Sequence, residues 1–273
     1  MRVSLQPAYV IHSRPYRDTS VIVEVFTAQY GRVSLVGKGA RRSRRGGSGL
    51  LLQPFSPLLV SYSGRSEMKT LTAHEAAGPA PNLRRERMFS GLYANELLMR
   101  LLHRDDPHPI LFSTYSALLS ALAADVAVDE PLRRFELSVL DELGYGFDLA
   151  VDAQTGEAVQ PGIDYDYFPD VGLRARVSLP GAAPVAGFPG KDLLRMAAGE
   201  LDGEVRLTAK RLLRQALAAH LGDAPLHSRA LFRGARQSVT SGGPDGPPRI
   251  DRAGEAGAGG PVDQPVPREG ERS

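Results

Sequence analysis

The chain contains no cysteine in its 273 residues. Disulfide staples, thiolate zinc centres and cysteine nucleophiles are thereby excluded, and the absence agrees with a reducing compartment. Tryptophan is missing too, so stacking against a flat ligand falls to Phe, Tyr, His or Arg. No apolar run approaches the ~20 residues a membrane helix needs, and the opening Met1-Arg2-Val3-Ser4-Leu5-Gln6-Pro7 lacks an apolar signal core. The expectation is a cytoplasmic protein.

Negative charge is scarce in one region. Residues 1–70 carry eleven Lys and Arg against three Asp and Glu, a net +8, while the rest of the chain is at −6 and the whole at only +2. The excess peaks in Val36-Gly37-Lys38-Gly39-Ala40-Arg41-Arg42-Ser43-Arg44-Arg45-Gly46-Gly47-Ser48-Gly49, where five cations fall between Lys38 and Arg45 with no carboxylate beside them. Glycine-flanked and set between two apolar stretches, this run reads as a cationic loop on a β-rich domain, suited to a polyanion. Its alternative reading is a solvated loop that aids solubility.

Catalytic signatures are equally sparse. Gly37-Lys38-Gly39 lacks the spacing of a Walker loop, a dinucleotide fingerprint would place its third glycine at Arg42, and Leu50 stands where a nucleophile elbow needs glycine. His103 and His108 bracket Asp105 and Asp106, but the setting, a helix end before a proline-rich turn, favours a structural role over a metal. Asp164, Asp166 and Asp170 start like a calcium loop that Phe168 and Pro169 break; a solvated acidic turn, or an acidic contact for a partner, remains. No cofactor, metal or enzymatic activity is expected.

Periodicity divides the chain. Ala8–His12, the β-branched Thr19–Phe26, Arg32–Val36, a long strand from Leu50 to Tyr62 interrupted by Pro54 and Pro57, and Met68–Ala73 alternate with period two. Five short strands in about 75 residues fit an oligonucleotide-binding β-barrel over residues 1–78. From Asn82, a plausible N-cap, the period becomes 3.6. Helices follow from there to about Leu102, from Pro109 to Ala124, and from Pro131 to Gly144. An irregular, partly β insert at about 148–190 precedes helices over Asp192–Leu201 and Leu207–Leu221, and Ser228 is placed to cap a short one through Phe232. The expected class is α+β, an N-terminal barrel followed by a helical domain at 79–236. Residues 237–273, with eight Gly and six Pro and no aromatic, read as a disordered tail.

Arg14, Arg17, Arg32, Lys38, Arg41, Arg42, Arg44 and Arg45 are the expected phosphate contacts, and Arg2, Arg65 and Lys69 add to the basic excess. Tyr9, Tyr16, Phe26, Tyr30, Phe55 and Tyr62 offer stacking faces. Core packing is the better reading for Phe26 and Phe55; Tyr16, after Pro15 in a turn, is the better stacking residue. On the helices, Arg133-Arg134, Lys210, Arg211 and Arg214 read mostly as solvated faces, with one cation left for the rim of a groove that takes an acidic, aromatic-ended peptide.

Several stretches together resemble the RecO family of bacterial recombination mediators. They are His12-Ser13-Arg14-Pro15-Tyr16 with Asp18-Thr19-Ser20, Val25-Phe26-Thr27, Gly31-Arg32-Val33 with Val36 to Arg41, and Leu52-Gln53-Pro54-Phe55. In the helical part they are Ser90-Gly91-Leu92-Tyr93, Asn95-Glu96-Leu97-Leu98, Leu132 to Leu137, Leu143-Gly144-Tyr145-Gly146, Leu226-His227-Ser228-Arg229 and Leu231-Phe232-Arg233. The resemblance implies a nucleoid-associated protein that binds single- and double-stranded DNA, anneals complementary strands and helps load RecA onto DNA coated with single-stranded-DNA-binding protein. It implies RecR and the acidic C-terminal tail of that coating protein as partners, the tail meeting Arg133 with Lys210 or Arg214. Some members hold zinc through four cysteines in the helical domain. This chain has none, so the insert should hold together by packing alone. A protein-binding adaptor with incidental DNA affinity is the competing reading; a nuclease would need a metal or nucleophile constellation that the sequence does not show.

Overall fold

A computed structural model describes residues 1–40, 51–124, 126–177, 187–228 and 231. Arg41, Arg42, Arg44 and Arg45 and the tail at 237–273 lie outside the described residues.

The first five strands are β1 (Arg2–Tyr16), β2 (Ser20–Thr27), β3 (Gly31–Gly37), β4 (Pro57–Ser63) and β5 (Met68–Ala76). They close into a barrel in the order β1-β2-β3-β5-β4, antiparallel throughout except for the parallel β3–β5 pair. Every residue of β2 is buried, because the strand is covered on both sides. Val21, Val23 and Val25 point into the barrel with Val10, Val33, Leu35, Leu58 and Val60, and Phe26 joins the core of the helical domain. Alternation with period two thus places successive side chains in two different cores. The strand expected from Leu50 begins only at Pro57. Phe55 takes a left-handed φ of 73° and donates its N–H to the Val10 carbonyl at 2.8 Å, which turns the chain and sends its ring out of the barrel.

Among the described residues these helices follow: α1 (Glu86–Leu101), α2 (Pro109–Ala123), α3 (Asp129–Glu142), α4 (Gly190–Ala197) and α5 (Arg206–Leu221). Asn82 is not the N-cap of α1. Arg85, at φ 50°, precedes the first helical residue, and the Asn82 side chain accepts from Arg84 Nε at 3.4 Å. Pro131 lies in the first turn of α3, which starts at Asp129; a missing N–H is harmless there. The α4 helix starts at Gly190, two residues before Asp192.

Between α3 and α4, β6 (Asp164–Phe168), β7 (Gly172–Ala175) and β8 (Phe188–Pro189) form a sheet in the order β7-β6-β8. Packing alone does not hold it. The buried Asp152 carboxylate accepts backbone N–H groups from Gln154 at 2.8 Å, Thr155 at 3.3 Å and Ala175 at 2.8 Å, tying its own turn to β7. Burial raises the pKa of this carboxyl, but the bonds from Ala175, Gln154 and Thr155, with Arg174 nearby, bring it below the ordinary value.

The barrel docks on α1 and α2 through apolar and polar contacts. Tyr9 and Phe26 meet Phe112 and Tyr115, with ring centroids 5.3–6.2 Å apart. The pairing register of β1 shifts between Val10 and His12. The Ile11 carbonyl at that irregularity accepts from Asn95 Nδ2 at 2.9 Å, and Asn95 Oδ1 accepts from Tyr115 O–H at 2.5 Å, so the Asn95 amide bridges two buried polar groups of different elements. Gly91 is needed on α1 because a Cβ there would stand 2.8 Å from the Phe55 ring.

Candidate nucleic-acid interface

The two ends of β3 serve different purposes. Its seven residues span roughly 20 Å at ~3.3 Å per residue. At the C-terminal end, Gly37 pairs with Val21 while Tyr16 pairs with Ser20. This register brings Lys38 beside the β1–β2 turn. The result is an open cleft of about 440 Å³ lined by Tyr16, Arg17, Asp18, Thr19, Ser20, Val36 and Lys38. Arg14, Arg17 and Lys38 are exposed and Tyr16 is half-buried. Arg17 sits at φ 52°, and its guanidinium carbon lies 5.1 Å from the Tyr16 ring centroid. A non-glycine residue held in the left-handed region costs free energy and recurs at binding sites. Three of the expected DNA residues, Tyr16, Arg17 and Lys38, therefore line one cleft, with Arg14 exposed on the adjoining strand. The run that continues to Arg45 starts from Lys38 in sequence.

The N-terminal end of β3 faces the helical domain, and the cations there are occupied. Arg32 is half-buried and donates from Nη1 to the Met99 carbonyl of α1. Burial pushes its guanidinium below the ordinary pKa, with Glu24 opposing and Arg104 adding to the shift. Lys69 is 5 % exposed and places Nζ 2.7 and 2.9 Å from the two carboxylate oxygens of Asp105. The buried Glu24 accepts from Ser34 Oγ at 2.6 Å and lies 3.8 Å from Arg104. Arg32 and Lys69 are thus corrected from surface cations to parts of an interdomain clasp. A cation offered to DNA must remain solvated, and these two have exchanged water for partners supplied by α1 and the α1–α2 connection.

The aromatics sort in the same way. Phe26 and Phe55 are core residues, as expected. Tyr62 is 1 % exposed and offers no free face, and the half-buried Tyr30 packs edge-on against it at 6.2 Å. Tyr9 bonds Ser116 at 2.7 Å between the domains.

On the helical side, Arg133 is corrected as well. It is 5 % exposed, 2.5 Å from the carboxylate of Glu136, which also accepts from Tyr93 O–H at 2.7 Å. It stands inside the domain, where an uncompensated charge would be costly, and not at the rim of a groove. Lys210 and Arg214 are exposed on α5 and share a face with the exposed Leu207, while Arg211 lies over the Phe188 ring at 4.5 Å. Residue types alone did not single out Asp18, Thr19, Ser20 and Val36 as cleft residues; the hairpin register that follows the turn after Tyr16 was the available signal.

In the clusters for which the sequence favoured a structural role over a metal, His108 is held between Asp106 at 3.5 Å and Glu142 at 3.4 Å, and Asp166 pairs with Arg176. Among the described residues no group of three or more His, Cys, Asp or Glu is arranged to hold a metal. No helix among them is long and apolar enough to cross a membrane.

A closed barrel of this strand order, with a cationic cleft at one end and helices docked at the other, defines an oligonucleotide-binding-type barrel protein with an appended helical domain. Residues 1–80 match the family model described as Recombination protein O N terminal, and residues 83–230 match Recombination protein O C terminal. A DNA repair protein RecO of Nitrosococcus oceani is 48% identical over 240 residues, covering 87% of this chain and 96% of that protein. The protein of that name from Methylococcus capsulatus is 45% identical over 233 residues (85% and 94%), and that from Stutzerimonas stutzeri 46% over 237 residues (85% and 95%). The chain belongs to the RecO family of DNA repair proteins.

Proposed function

We propose that the protein is a recombination mediator that anneals complementary strands and helps load RecA onto DNA coated with single-stranded-DNA-binding protein. The observation that carries this reading is the cleft where Tyr16, Arg17 and Lys38 converge at the barrel end, beside Arg14; Arg41, Arg42, Arg44 and Arg45 follow Lys38 in sequence. Annealing requires no bond chemistry. Two strands repel through their phosphates, and a cationic surface that binds both without reading sequence lowers that repulsion. The docked domains support a division of labour in which the barrel meets DNA and the helical domain meets protein. For the acidic tail of the coating protein, the exposed Lys210 and Arg214 beside Leu207 offer cations next to an apolar side chain; Arg133 is assigned a structural role. RecR is the proposed second partner.

Binding of a single-stranded oligonucleotide across a salt series tests the DNA assignment. If the five cations from Lys38 to Arg45 each neutralise one phosphate, log K falls against log salt with a slope near about −3.5. Charge reversal of Arg41, Arg42, Arg44 and Arg45 should flatten that slope toward about −0.7. An unchanged slope and affinity would refute the assignment.

A further inference from the structure

Resting on the DNA reading above, we propose that the Tyr16 cleft takes one unpaired nucleotide, its base against the Tyr16 ring and its phosphate toward Arg17 and Lys38. This end of the barrel then distinguishes single strands from duplex.

Three observations converge on it. First, Tyr16 belongs to neither of the apolar cores, whereas Phe26 and Phe55 are packed in the core of the helical domain with Tyr9 against it, and Tyr62 belongs to the barrel core with Tyr30 packed against it. Its ring is bounded instead by the cleft and by Arg17. An aromatic ring on a surface turn gains nothing from a duplex, whose base faces are covered by stacking. A single strand presents them without the cost of flipping.

Second, charge in the cleft is divided. Arg17 and Lys38 lie on the same lining as Asp18. A carboxylate repels phosphate, so the phosphate is directed to Arg17 and Lys38, and the base is left to the Tyr16 ring that Arg17 adjoins. A uniformly basic cleft would impose no such orientation.

Third, Arg17, at a left-handed φ of 52°, has its guanidinium carbon 5.1 Å from the Tyr16 ring centroid. Stacking and phosphate contact are therefore supplied by adjacent residues of one turn, matching the adjacency of base and phosphate in one nucleotide.

The test compares the full chain with its Tyr16→Ala and Tyr16→Phe variants on three probes of equal length: oligo(dT), the same backbone with abasic residues, and a duplex. Stacking contributes ~1–3 kcal/mol per base, so wild type should bind oligo(dT) at least about fivefold more tightly than the abasic strand. Tyr16→Ala should lose that difference with abasic and duplex affinities unchanged, which also reports a preserved fold, and Tyr16→Phe should keep it. Equal affinity of wild type for oligo(dT) and the abasic strand, or an equal loss on all three probes in Tyr16→Ala, would overturn the proposal. In either case strong binding that weakens with salt would leave the DNA reading standing, whereas failure of wild type to bind any probe would overturn both.

Discussion

Asp105→Asn should destabilise the protein more than Lys69→Met, although the two residues share one ion pair. The reason lies in their exposure: the Lys69 side chain is 6% accessible and that of Asp105 is 48%. Replacing Lys69 by methionine leaves a half-exposed carboxylate that water solvates, while the methionine retains most of the buried stem. The loss should be that of a surface pair, about 0–1 kcal/mol. Replacing Asp105 by asparagine leaves an ammonium buried beside a neutral amide. Breaking a fully buried pair costs about 3–5 kcal/mol; the asparagine carbonyl still accepts one bond and water reaches that side, which lowers the expected cost to about 2–3 kcal/mol. Asparagine tolerates the φ of 57° at this position, so backbone strain does not confound the comparison. At about 2–4 °C per kcal/mol for a chain of this size, thermal unfolding should show Asp105→Asn lower by about 4–12 °C and Lys69→Met by no more than about 4 °C. The double variant should resemble Lys69→Met. A Lys69→Met variant at least as unstable as Asp105→Asn would refute the argument that burial asymmetry governs this pair. Because Lys69 Nζ is committed to Asp105, the methionine variant should also bind DNA with an unchanged salt slope.

Other consequences follow from single contacts. Asp152→Asn should cost about 1–3 kcal/mol, since one backbone donor loses its acceptor, read as a lower urea midpoint. The carboxyl's folded pKa lies below its unfolded value near 3.9, so its contribution is complete above that pH and lost as pH falls through the lowered folded value; the wild-type advantage over Asp152→Asn should therefore shrink below about pH 4. Gly31→Ala should destabilise by at least about 3 kcal/mol or prevent folding, because a Cβ there collides with the Asp106 carbonyl and φ is 63°; a stable Gly31→Ala protein would contradict the docking of the α1–α2 connection on β3. Glu96 accepts from the N–H groups of His227 and Ser228 and from the Ser228 hydroxyl, at 2.6–2.9 Å, so Glu96→Ala should speed hydrogen exchange at those two amides while leaving the barrel amides unchanged.

Much of the architecture was written locally. The β-branched stretch Thr19–Phe26 and the 3.6-residue spacing of Leu111, Tyr115, Leu118, Leu119 and Leu122 are short-range signals, and they became β2, shifted by one residue, and α2. Tyr16, Arg17 and Lys38 could be placed together from sequence because the turn after Tyr16 and the end of β3 are joined by local hairpin pairing. Arg32, Lys69 and Arg133 were misread because their partners are specified elsewhere. Asp105 lies 36 residues beyond Lys69 and Met99 lies 67 beyond Arg32, and no local pattern announces either. For Arg133 the partner is three positions away, but that spacing is equally common on a solvated helix face, and only tertiary packing decides that this face is inside. The insert was legible as irregular and partly β, but not what organises it, one carboxylate whose donors span residues 154–175. An Asx turn can be read from sequence, but its third bond cannot.

The central claim, that the basic end of the barrel anneals strands, is tested most directly with two complementary oligonucleotides precoated with the cognate single-stranded-DNA-binding protein. Wild type would be compared with a folded variant carrying glutamate at 41, 42, 44 and 45. The account predicts annealing by wild type and its loss in the variant. Equal annealing by both, or none by wild type, would contradict it.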